Sequence, residues 1–295
     1  MTHKTLILPL AAALVFSASF CSSPAPASDF PLPKVVSHRG FYVTGDSFEN
    51  TISSLRNAQE LGVCGVEFDV NLTLDDSVMI LHGPNVHGTK VNIQKSTYEE
   101  VRAIDLPGGH KVPTFDEFLR QGKEDPSVTL VMELKKHATP ERETQLVETV
   151  YAKIKEMGML EQVQFMSFSL HACKEVRRID PSVYVCYVSS DQRAETPATL
   201  NELGIKGVSY ALNTFMNFPE MVDEANALGQ ETTLWMVEDP ELIDWAWKHG
   251  ITYVSTDFPD KAKAYIEALA SGNKKAIAAA AADFKAKDKA TFVAR

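Results

Sequence analysis

The chain has 295 residues, of which 44% are apolar and 23% are charged. These values are ordinary for a folded globular protein and exclude a disordered, collagen-like or coiled-coil chain. The formal net charge is -10, and this acidic excess disfavours nucleic acid as a partner, because phosphate backbones require clustered lysine and arginine. A chain of this length can bury one large core without the support of disulfides.

Residues 1–27 have the pattern of an export signal, with a positively charged N-terminus, an apolar run and Ala25-Pro26-Ala27 before a cleavage site. The apolar run, residues 5–20, is shorter than the roughly 20 residues that a membrane span needs. Cys21 and the two serines after it also fit a bacterial lipoprotein signal, although Phe20 stands where such signals have a small residue. We therefore expect an exported protein, periplasmic or secreted, that is either free or lipid-anchored to a membrane at Cys21. An uncleaved signal anchor is the third alternative.

Three cysteines follow this segment, at Cys64, Cys173 and Cys186. Their number is odd, their spacings are wide, and they form no CxxC pair, so they indicate neither a disulfide framework nor a zinc site. We expect them to be small buried residues.

Strand-like apolar runs alternate with helical patterns through residues 28–272, and no linker divides this region into two domains. Such runs are typical of parallel strands that are covered by helices. Eight strands are predicted, at residues 34–38, 65–70, 128–134, 163–168, 183–188, 207–210, 232–237 and 252–255. Helices are predicted at residues 49–61, 140–157, 170–179, 219–228 and 240–249. The alternation and the length predict a single α/β domain with the (β/α)8 TIM-barrel fold. A doubly wound open sheet is the alternative, but the GxGxxG loop usual in that fold is missing.

The interval between the second and third predicted strands, residues 71–127, is too long for one helix and predicts an insertion after strand 2. Short strands are expected there at residues 77–81 and 90–93, and helices at residues 98–104 and 114–122. The insertion leaves the end of the barrel at which active sites of this fold lie. The Ala/Lys-rich segment 273–295 predicts a peripheral helix outside the barrel.

Carboxylates occur two residues apart near the end of strand 2, where Glu67 and Asp69 share one face of the strand. The same spacing recurs in strand 3 with Glu133 and Lys135. Carboxylates on the inner side of a barrel are costly to bury unless they are paired, and a hard cation such as Ca²⁺ or Mg²⁺ prefers their oxygens. We therefore expect a cation site there, with Lys135 available to an anionic ligand.

Histidines and an arginine accompany these carboxylates. His38 and Arg39 end strand 1, where an arginine can grip a phosphate and a histidine can move protons near neutral pH. His82 follows an apolar segment of the insertion and could supply a second proton-transfer group. The remaining histidines are expected in loops (His87 and His110) or on the surface (His137, His171 and His249). Together these residues predict metal-assisted phosphodiester chemistry.

The sequence resembles the glycerophosphodiester phosphodiesterase family over residues 35–260. The resemblance depends on an ordered set of motifs, each of which is weak by itself. They are His38-Arg39-Gly40, Glu49-Asn50-Thr51, Gly65-Val66-Glu67-Phe68-Asp69-Val70, Thr73 with Asp75, His82, Val112-Pro113-Thr114-Phe115-Asp116-Glu117, Glu133-Leu134-Lys135, Ser167-Phe168-Ser169, Trp235 and Thr256-Asp257-Phe258-Pro259.

The resemblance implies a TIM-barrel hydrolase that splits a glycerophosphodiester into an alcohol and glycerol 3-phosphate. It implies that His38 and His82 are the general base and general acid pair, and that Glu67, Asp69 and Glu133 bind one Ca²⁺ or Mg²⁺. The substrate contacts it implies are Arg39, Lys135 and Trp235, and Glu49 and Asn50 would support the site from outside.

Two positions depart from the family pattern. Gly83 stands where the family usually has an aspartate that positions the second histidine, and Glu238 stands near a frequent asparagine. The loss of the aspartate favours, as an alternative, a non-catalytic binding lipoprotein for phosphorylated polyols. A related phospholipase that cleaves phosphoinositide or sphingolipid head groups is a further alternative.

Overall fold

The computed structural model describes residues 28–191 and 194–286. The predicted export signal with Cys21 lies outside the described residues, as does the end of the Ala/Lys-rich segment. In chain order the strands are β1 (Lys34–Ser37), β2 (Gly65–Leu72), β3 (Val78–Ile80), β4 (Asp105–Leu106), β5 (His110–Lys111), β6 (Thr129–Leu134), β7 (Val163–Ser167), β8 (Val185–Ser189), β9 (Gly207–Ala211), β10 (Glu231–Trp235) and β11 (Tyr253–Thr256).

Eight of these strands form a closed parallel barrel in the order β1-β2-β6-β7-β8-β9-β10-β11. The barrel closes because β1 is hydrogen-bonded to both β2 and β11. The predicted (β/α)8 fold is therefore confirmed, and the open-sheet alternative is wrong. All eight predicted strands are present, and the apolar residues between the strands and the helices form one continuous core.

Helices cover the outside of this barrel, and the short α2 belongs to the insertion. They are α1 (Ile52–Leu61), α2 (Tyr98–Arg102), α3 (Phe115–Gly122), α4 (Pro140–Glu156), α5 (Leu170–Ile179), α6 (Pro197–Glu202), α7 (Leu212–Asn217), α8 (Glu220–Ala227), α9 (Pro240–His249), α10 (Pro259–Ser271) and α11 (Lys274–Lys285). Every predicted helix has a counterpart, whereas α6, α7 and α10 lie outside the predicted helix ranges. Among the described residues, no helix combines the length and the apolar character that crossing a membrane would require.

The insertion lies between β2 and α3 and has a small core of its own. β3 pairs with β2 in antiparallel orientation, and β4 and β5 form a hairpin. Apolar residues of the insertion pack with Phe48 from the loop after β1, so the two segments are held together. The strand predicted at residues 90–93 is wrong, because the Asn92 side chain accepts a hydrogen bond from the Gln94 amide and starts a 3₁₀ turn.

The cysteines form no disulfide in the described part of the chain. Cys173 and Cys186 are buried as expected, and Cys64 is partly buried.

Candidate active site

Three acidic side chains converge inside the barrel at the C-terminal ends of two adjacent strands. Glu67 and Asp69 project from β2, and Glu133 projects from β6, where it is the direct partner of Asp69 in the strand register. Each offers a carboxylate oxygen within 4.8 Å of the other two. The residues are 4%, 1% and 8% exposed, respectively. The predicted two-residue spacing therefore does bring the three carboxylates together.

The electrostatics of this cluster are suited to a cation. Burial and the neighbouring Asp69 raise the pKa of Glu67, and burial and Asp69 likewise raise the pKa of Glu133. Burial opposes ionisation of Asp69 too, but Lys135 and Arg39 outweigh it and lower its pKa. Oε1 of Glu67 and Oδ1 of Asp69 are buried without a hydrogen bond. Buried carboxylate oxygens that accept no hydrogen bond are costly, and a divalent cation would satisfy them, so the residues present fit such an ion.

Arg39 lies on the sharp turn after β1 and contacts three acidic residues. Its backbone adopts a left-handed conformation with φ of 54°. Its amide donates to Oε2 of Glu67 at 2.8 Å, and its Nη1 donates to Oε2 of Glu49 at 2.8 Å. Its Nε lies 3.6 Å from Oδ2 of Asp69. The guanidinium is thus held at the edge of the acidic cluster, with Glu49 supporting it from outside.

Lys135 reaches the cluster from the end of β6. Its Nζ lies 2.6 Å from Oε1 of Glu133 and 3.1 Å from Oδ1 of Asp69, so it forms ion pairs with both carboxylates. Burial disfavours its charge, but the two carboxylates outweigh burial and raise the pKa of Lys135. The ammonium is therefore a fixed positive charge beside the carboxylates.

His38 is oriented by a carboxylate that was given no role in the sequence analysis. Its Nδ1 lies 2.7 Å from Oδ1 of Asp257, which follows β11 and is buried. Because an ionised carboxylate only accepts, Nδ1 carries a proton, and Nε2 lies 3.9 Å from Oε2 of Glu67. Burial lowers the pKa of His38, but the hydrogen bond to Asp257 and the charge of Glu67 outweigh it and leave the pKa raised.

His82 approaches from the insertion, two residues after the end of β3. The preceding amide, that of Leu81, donates to the Asp69 carbonyl at 3.0 Å and so fixes the segment against β2. Burial lowers the pKa of His82, and Lys135 and Arg39 lower it further against the opposing charge of Asp69. The two histidines thus line one cavity with pKa values that are shifted in opposite directions.

The cavity has a volume of about 130 Å³ and extends through the barrel interior to the C-terminal ends of the strands. Trp235, the last residue of β10, lines it as the resemblance implied, and its Nε1 donates to the Ser209 carbonyl at 3.2 Å. Phe168 lies beside Trp235, with ring centroids 5.8 Å apart and ring planes at 80°. Glu238, three residues beyond Trp235, is partly exposed.

The structure brings all the predicted site residues into one region. Six of them line the cavity: His38, Arg39, Glu67, His82, Glu133 and Trp235. The other four touch members of that group or each other: Glu49, Asn50, Asp69 and Lys135.

Three residues near the site were missed by sequence reasoning. Asp257 stands in a motif that was recognised without a role. Tyr42 shares a hydrogen bond with Asp257, and burial, together with Asp257, raises the pKa of its phenol. His137, which was expected on the surface, is 7% exposed, so that expectation is wrong. Its Nδ1 bonds to the Lys135 carbonyl, and its Nε2 accepts from the Leu72 amide.

Known proteins that are similar to this chain include glycerophosphodiester phosphodiesterases. A solved glycerophosphodiester phosphodiesterase from Parabacteroides distasonis is 33% identical with a TM-score of 0.77, over 81% of this chain and 98% of that one. The glycerophosphodiester phosphodiesterase of Caldanaerobacter subterraneus is 26% identical over 77% of this chain and 94% of its own length. A phosphodiesterase from Oleispira antarctica, solved in complex with the product sn-glycerol-3-phosphate, is 23% identical with a TM-score of 0.68, over 80% and 97% of the two chains, and shows the shared fold.

A family model matches most of the chain as well. Residues 38–261 match the glycerophosphoryl diester phosphodiesterase family, and this range contains every residue of the site just described. The chain therefore belongs to the glycerophosphoryl diester phosphodiesterase family and is an enzyme of that class.

Proposed function

We propose that the protein hydrolyses glycerophosphodiesters to an alcohol and glycerol 3-phosphate, with one divalent cation, Ca²⁺ or Mg²⁺, bound by Glu67, Asp69 and Glu133. The observation that carries this proposal is the convergence of three buried carboxylates on a cavity that two histidines line, with one oxygen of Glu67 that accepts no hydrogen bond. Cation binding requires all three groups to be ionised. A bound cation would supply positive charge that stabilises the phosphate as negative charge develops on it.

The phosphate would be held by the chain's own cations. The guanidinium of Arg39 is fixed by Glu49, and the ammonium of Lys135 is fixed by Glu133, so neither has to be ordered when the substrate arrives. Side chains that are already positioned lose little entropy on binding and stabilise charge in the transition state without reorganising. Arg39 is suited to a bidentate contact with phosphate oxygens.

The two imidazoles would divide proton transfer between them. Cleavage of a diester requires a proton to be removed from the attacking oxygen and another to be delivered to the leaving alkoxide. His38 is held by Asp257 with Nδ1 protonated, so its Nε2 is the atom available for proton transfer. His82, on the insertion, supplies the second group.

The primary test is an assay of purified protein with glycerophosphocholine, measured as release of glycerol 3-phosphate. We expect product with Ca²⁺ or Mg²⁺, loss of product in EDTA, and recovery when the cation is restored. His38→Ala and His82→Ala should each lose about 10²- to 10⁴-fold in kcat, the usual contribution of a proton-transfer group. His87→Ala, which changes an exposed histidine of the same insertion, is the matched control and should keep its activity.

The same experiment separates hydrolysis from capture. A binding protein for phosphorylated polyols would bind glycerophosphocholine in calorimetry without releasing product in any metal. That result would reject catalysis and leave the alternative function.

The assignment of acid and base is tested with a diester that has a nitrophenol leaving group. Nitrophenolate departs without a proton, so the variant that lacks the general acid should recover activity on this substrate, and the variant that lacks the general base should not. Equal losses on both substrates for His38→Ala and His82→Ala would contradict a divided role.

The cellular location is a separate proposal, made from residues 1–27 alone. We propose that the protein is exported and that Cys21 decides whether it carries a lipid anchor. Cell fractionation of the natural chain and of Cys21→Ala tests this: an anchored protein moves from the membrane to the soluble fraction in the variant, and a secreted one does not change. Retention of the natural chain in the cytoplasm would reject export.

A further inference from the structure

The two sides of the cavity differ in chemical character. On one side, β1, β2 and β6 supply the histidine, arginine and carboxylates described above. On the opposite side, the ends of β7, β8 and β10 supply a rim of five apolar or aromatic residues. They are Met166, Phe168, Val188, Trp235 and Met236. A phosphate bound at the polar side would therefore direct one of its two ester groups toward the apolar side.

The most exposed part of this rim is an aromatic corner formed by Phe168 and Trp235. Their rings are nearly perpendicular, which makes them two adjoining walls rather than a closed stack. The bond from the indole Nε1 to the Ser209 carbonyl fixes the orientation of Trp235. Phe168 remains 37% exposed, although it is one of the largest apolar side chains at the site. An aromatic residue left open beside a binding cavity is a candidate for ligand contact.

The corner suits a methylated cation better than a polyol. The polar side chains Ser209 and Thr233 are level with Val188 in the strand register, and Thr233 lies two residues before Trp235. The hydroxyl groups of a glycerol would therefore find few partners at the aromatic corner itself and would lose hydrogen bonds to water. A quaternary ammonium has no hydrogen bonds to lose and is attracted to aromatic faces.

The size of the cavity supports the same choice. A cavity of about 130 Å³ suits a small head group better than an acyl chain. For comparison, an apolar cavity of about 150 Å³ holds a benzene molecule.

We propose that Phe168 and Trp235 form a subsite for the alcohol group of the substrate and select a quaternary ammonium alcohol, as in glycerophosphocholine. This proposal rests on the proposed hydrolysis of glycerophosphodiesters and adds the identity of the preferred alcohol.

The test compares kcat/KM for glycerophosphocholine and for glycerophosphoglycerol in the natural protein and in Phe168→Leu. Leucine keeps an apolar side chain of similar size and removes the aromatic face. We expect the natural protein to prefer the choline ester, and the ratio of the two kcat/KM values to fall by about tenfold in Phe168→Leu. Phe168→Tyr, which keeps the ring, should retain the preference. Met216→Leu, which changes an exposed apolar residue that does not line the cavity, should leave the ratio unchanged.

Several outcomes would overturn the subsite. An equal loss on both esters in Phe168→Leu would give this residue a structural role only, and equal rates in the natural protein would remove the preference while leaving hydrolysis intact. Faster cleavage of a single-chain lysophospholipid than of either ester would assign the apolar rim to an acyl chain.

Binding measurements keep the subsite testable apart from turnover. His38→Ala should bind glycerophosphocholine more tightly than glycerophosphoglycerol in calorimetry, and the double variant with Phe168→Leu should lose that difference. If neither ester is hydrolysed by the natural protein, the proposed function fails, and this difference in affinity still decides the subsite.

Discussion

Asn50 holds Asp69 with both ends of its side-chain amide. Its Nδ2 donates to Oδ2 of Asp69 at 2.7 Å, and its Oδ1 accepts from the Asp69 backbone amide at 3.0 Å. Asn50 is itself in a left-handed conformation, with φ of 57°, and begins the turn into α1. One oxygen of Asp69 is thus committed to Asn50, and the other is directed into the acidic cluster.

This relationship predicts that Asn50 controls cation binding without touching the cation. Asn50→Gly keeps the backbone conformation accessible and removes the amide, so Asp69 should lose its fixed orientation. We expect cation affinity to fall about 10- to 100-fold, as is usual when a partner of a metal ligand is removed. Calorimetric titration with Ca²⁺ measures this. Asn50→Ala should show the same loss of affinity with an added loss of thermal stability, because alanine disfavours a positive φ. Unchanged affinity in Asn50→Gly would contradict the prediction.

Asp257 is predicted to set the protonation of His38. In Asp257→Asn the charge that favours the imidazolium is gone, so the pKa of His38 should fall from its raised value. Activity should fall about 10²- to 10⁴-fold, because the tautomer and orientation of the ring are no longer imposed. NMR titration of the imidazole in metal-free protein and the pH dependence of kcat/KM measure the two effects. Tyr42→Phe removes only the hydroxyl that supports Asp257 and should cost less than Asp257→Asn.

The contrast between Glu67 and Asp257 shows what the sequence could predict. Glu67 and Asp69 lie two residues apart on a recognisable strand, so their shared face and their place in the barrel follow from local periodicity. Asp257 meets His38 across 219 residues of chain, and only closure of the barrel by β11 brings them together. His137 was misjudged for the same reason, since its bond to the Leu72 amide spans 65 residues. The prediction for a short segment such as residues 90–93 fails for a different reason, because a single side chain decides its conformation.

The raised pKa of Glu67 predicts how the stability of the metal-free protein depends on pH. Because its pKa in the folded protein is raised above its ordinary value of 4.5, the folded chain keeps a proton that the unfolded chain loses. The contribution of Glu67 to the free energy of unfolding should therefore decrease as the pH rises above 4.5 and through the raised pKa. Thermal unfolding in EDTA over a pH series from about 5 to about 9 measures this trend.

Cation binding should reverse the trend. The cation requires the ionised carboxylate, so its affinity should increase with pH and its binding should release a proton. Glu67→Gln is the matched variant, because an amide resembles the protonated acid. It should be more stable than the natural protein without metal at high pH and should bind the cation poorly. Identical pH profiles of stability in EDTA for the natural protein and Glu67→Gln would contradict the assignment.

His137 is predicted to have a structural role, because its ring links the Lys135 carbonyl to the Leu72 amide. Its Nδ1–H donates to the Lys135 carbonyl at 2.8 Å, and its Nε2 accepts from the Leu72 amide at 3.1 Å, so the ring must be neutral. His137→Leu would leave both backbone groups buried without a partner, at a cost of about 1–3 kcal/mol for each. Urea unfolding measures the loss.

The pH dependence gives an independent check on His137. Burial lowers the pKa of His137 below 6.5, so the unfolded chain takes up a proton there before the folded chain does. That contribution to stability is complete above 6.5 and is lost as the pH falls toward the lowered pKa. His137→Leu should therefore lose stability less steeply below this pH than the natural protein. Parallel pH profiles for the two proteins would contradict a neutral buried ring.

Gly83 is the position at which an aspartate can be returned to the site. Its φ of 72° is left-handed, so any side chain there should cost about 1–2 kcal/mol of stability. There is room for one, because a Cβ would lie 3.5 Å from Cγ2 of Ile93 and 3.7 Å from Nδ2 of Asn71. Gly83→Asp should fold and should raise the pKa of His82, which burial, Lys135 and Arg39 lower in the natural protein.

Gly83→Ala is the control for this substitution, because it carries the same backbone cost without the carboxylate. If His82 is the general acid, its higher pKa in Gly83→Asp should keep it protonated further into the basic range. In the pH profile of kcat/KM, the basic limb should then move to higher pH in Gly83→Asp and not in Gly83→Ala. If His82 is the general base, the acidic limb should move instead, since a higher pKa keeps the base protonated to higher pH. Identical pH profiles for the two variants would show that a carboxylate at residue 83 does not act on His82.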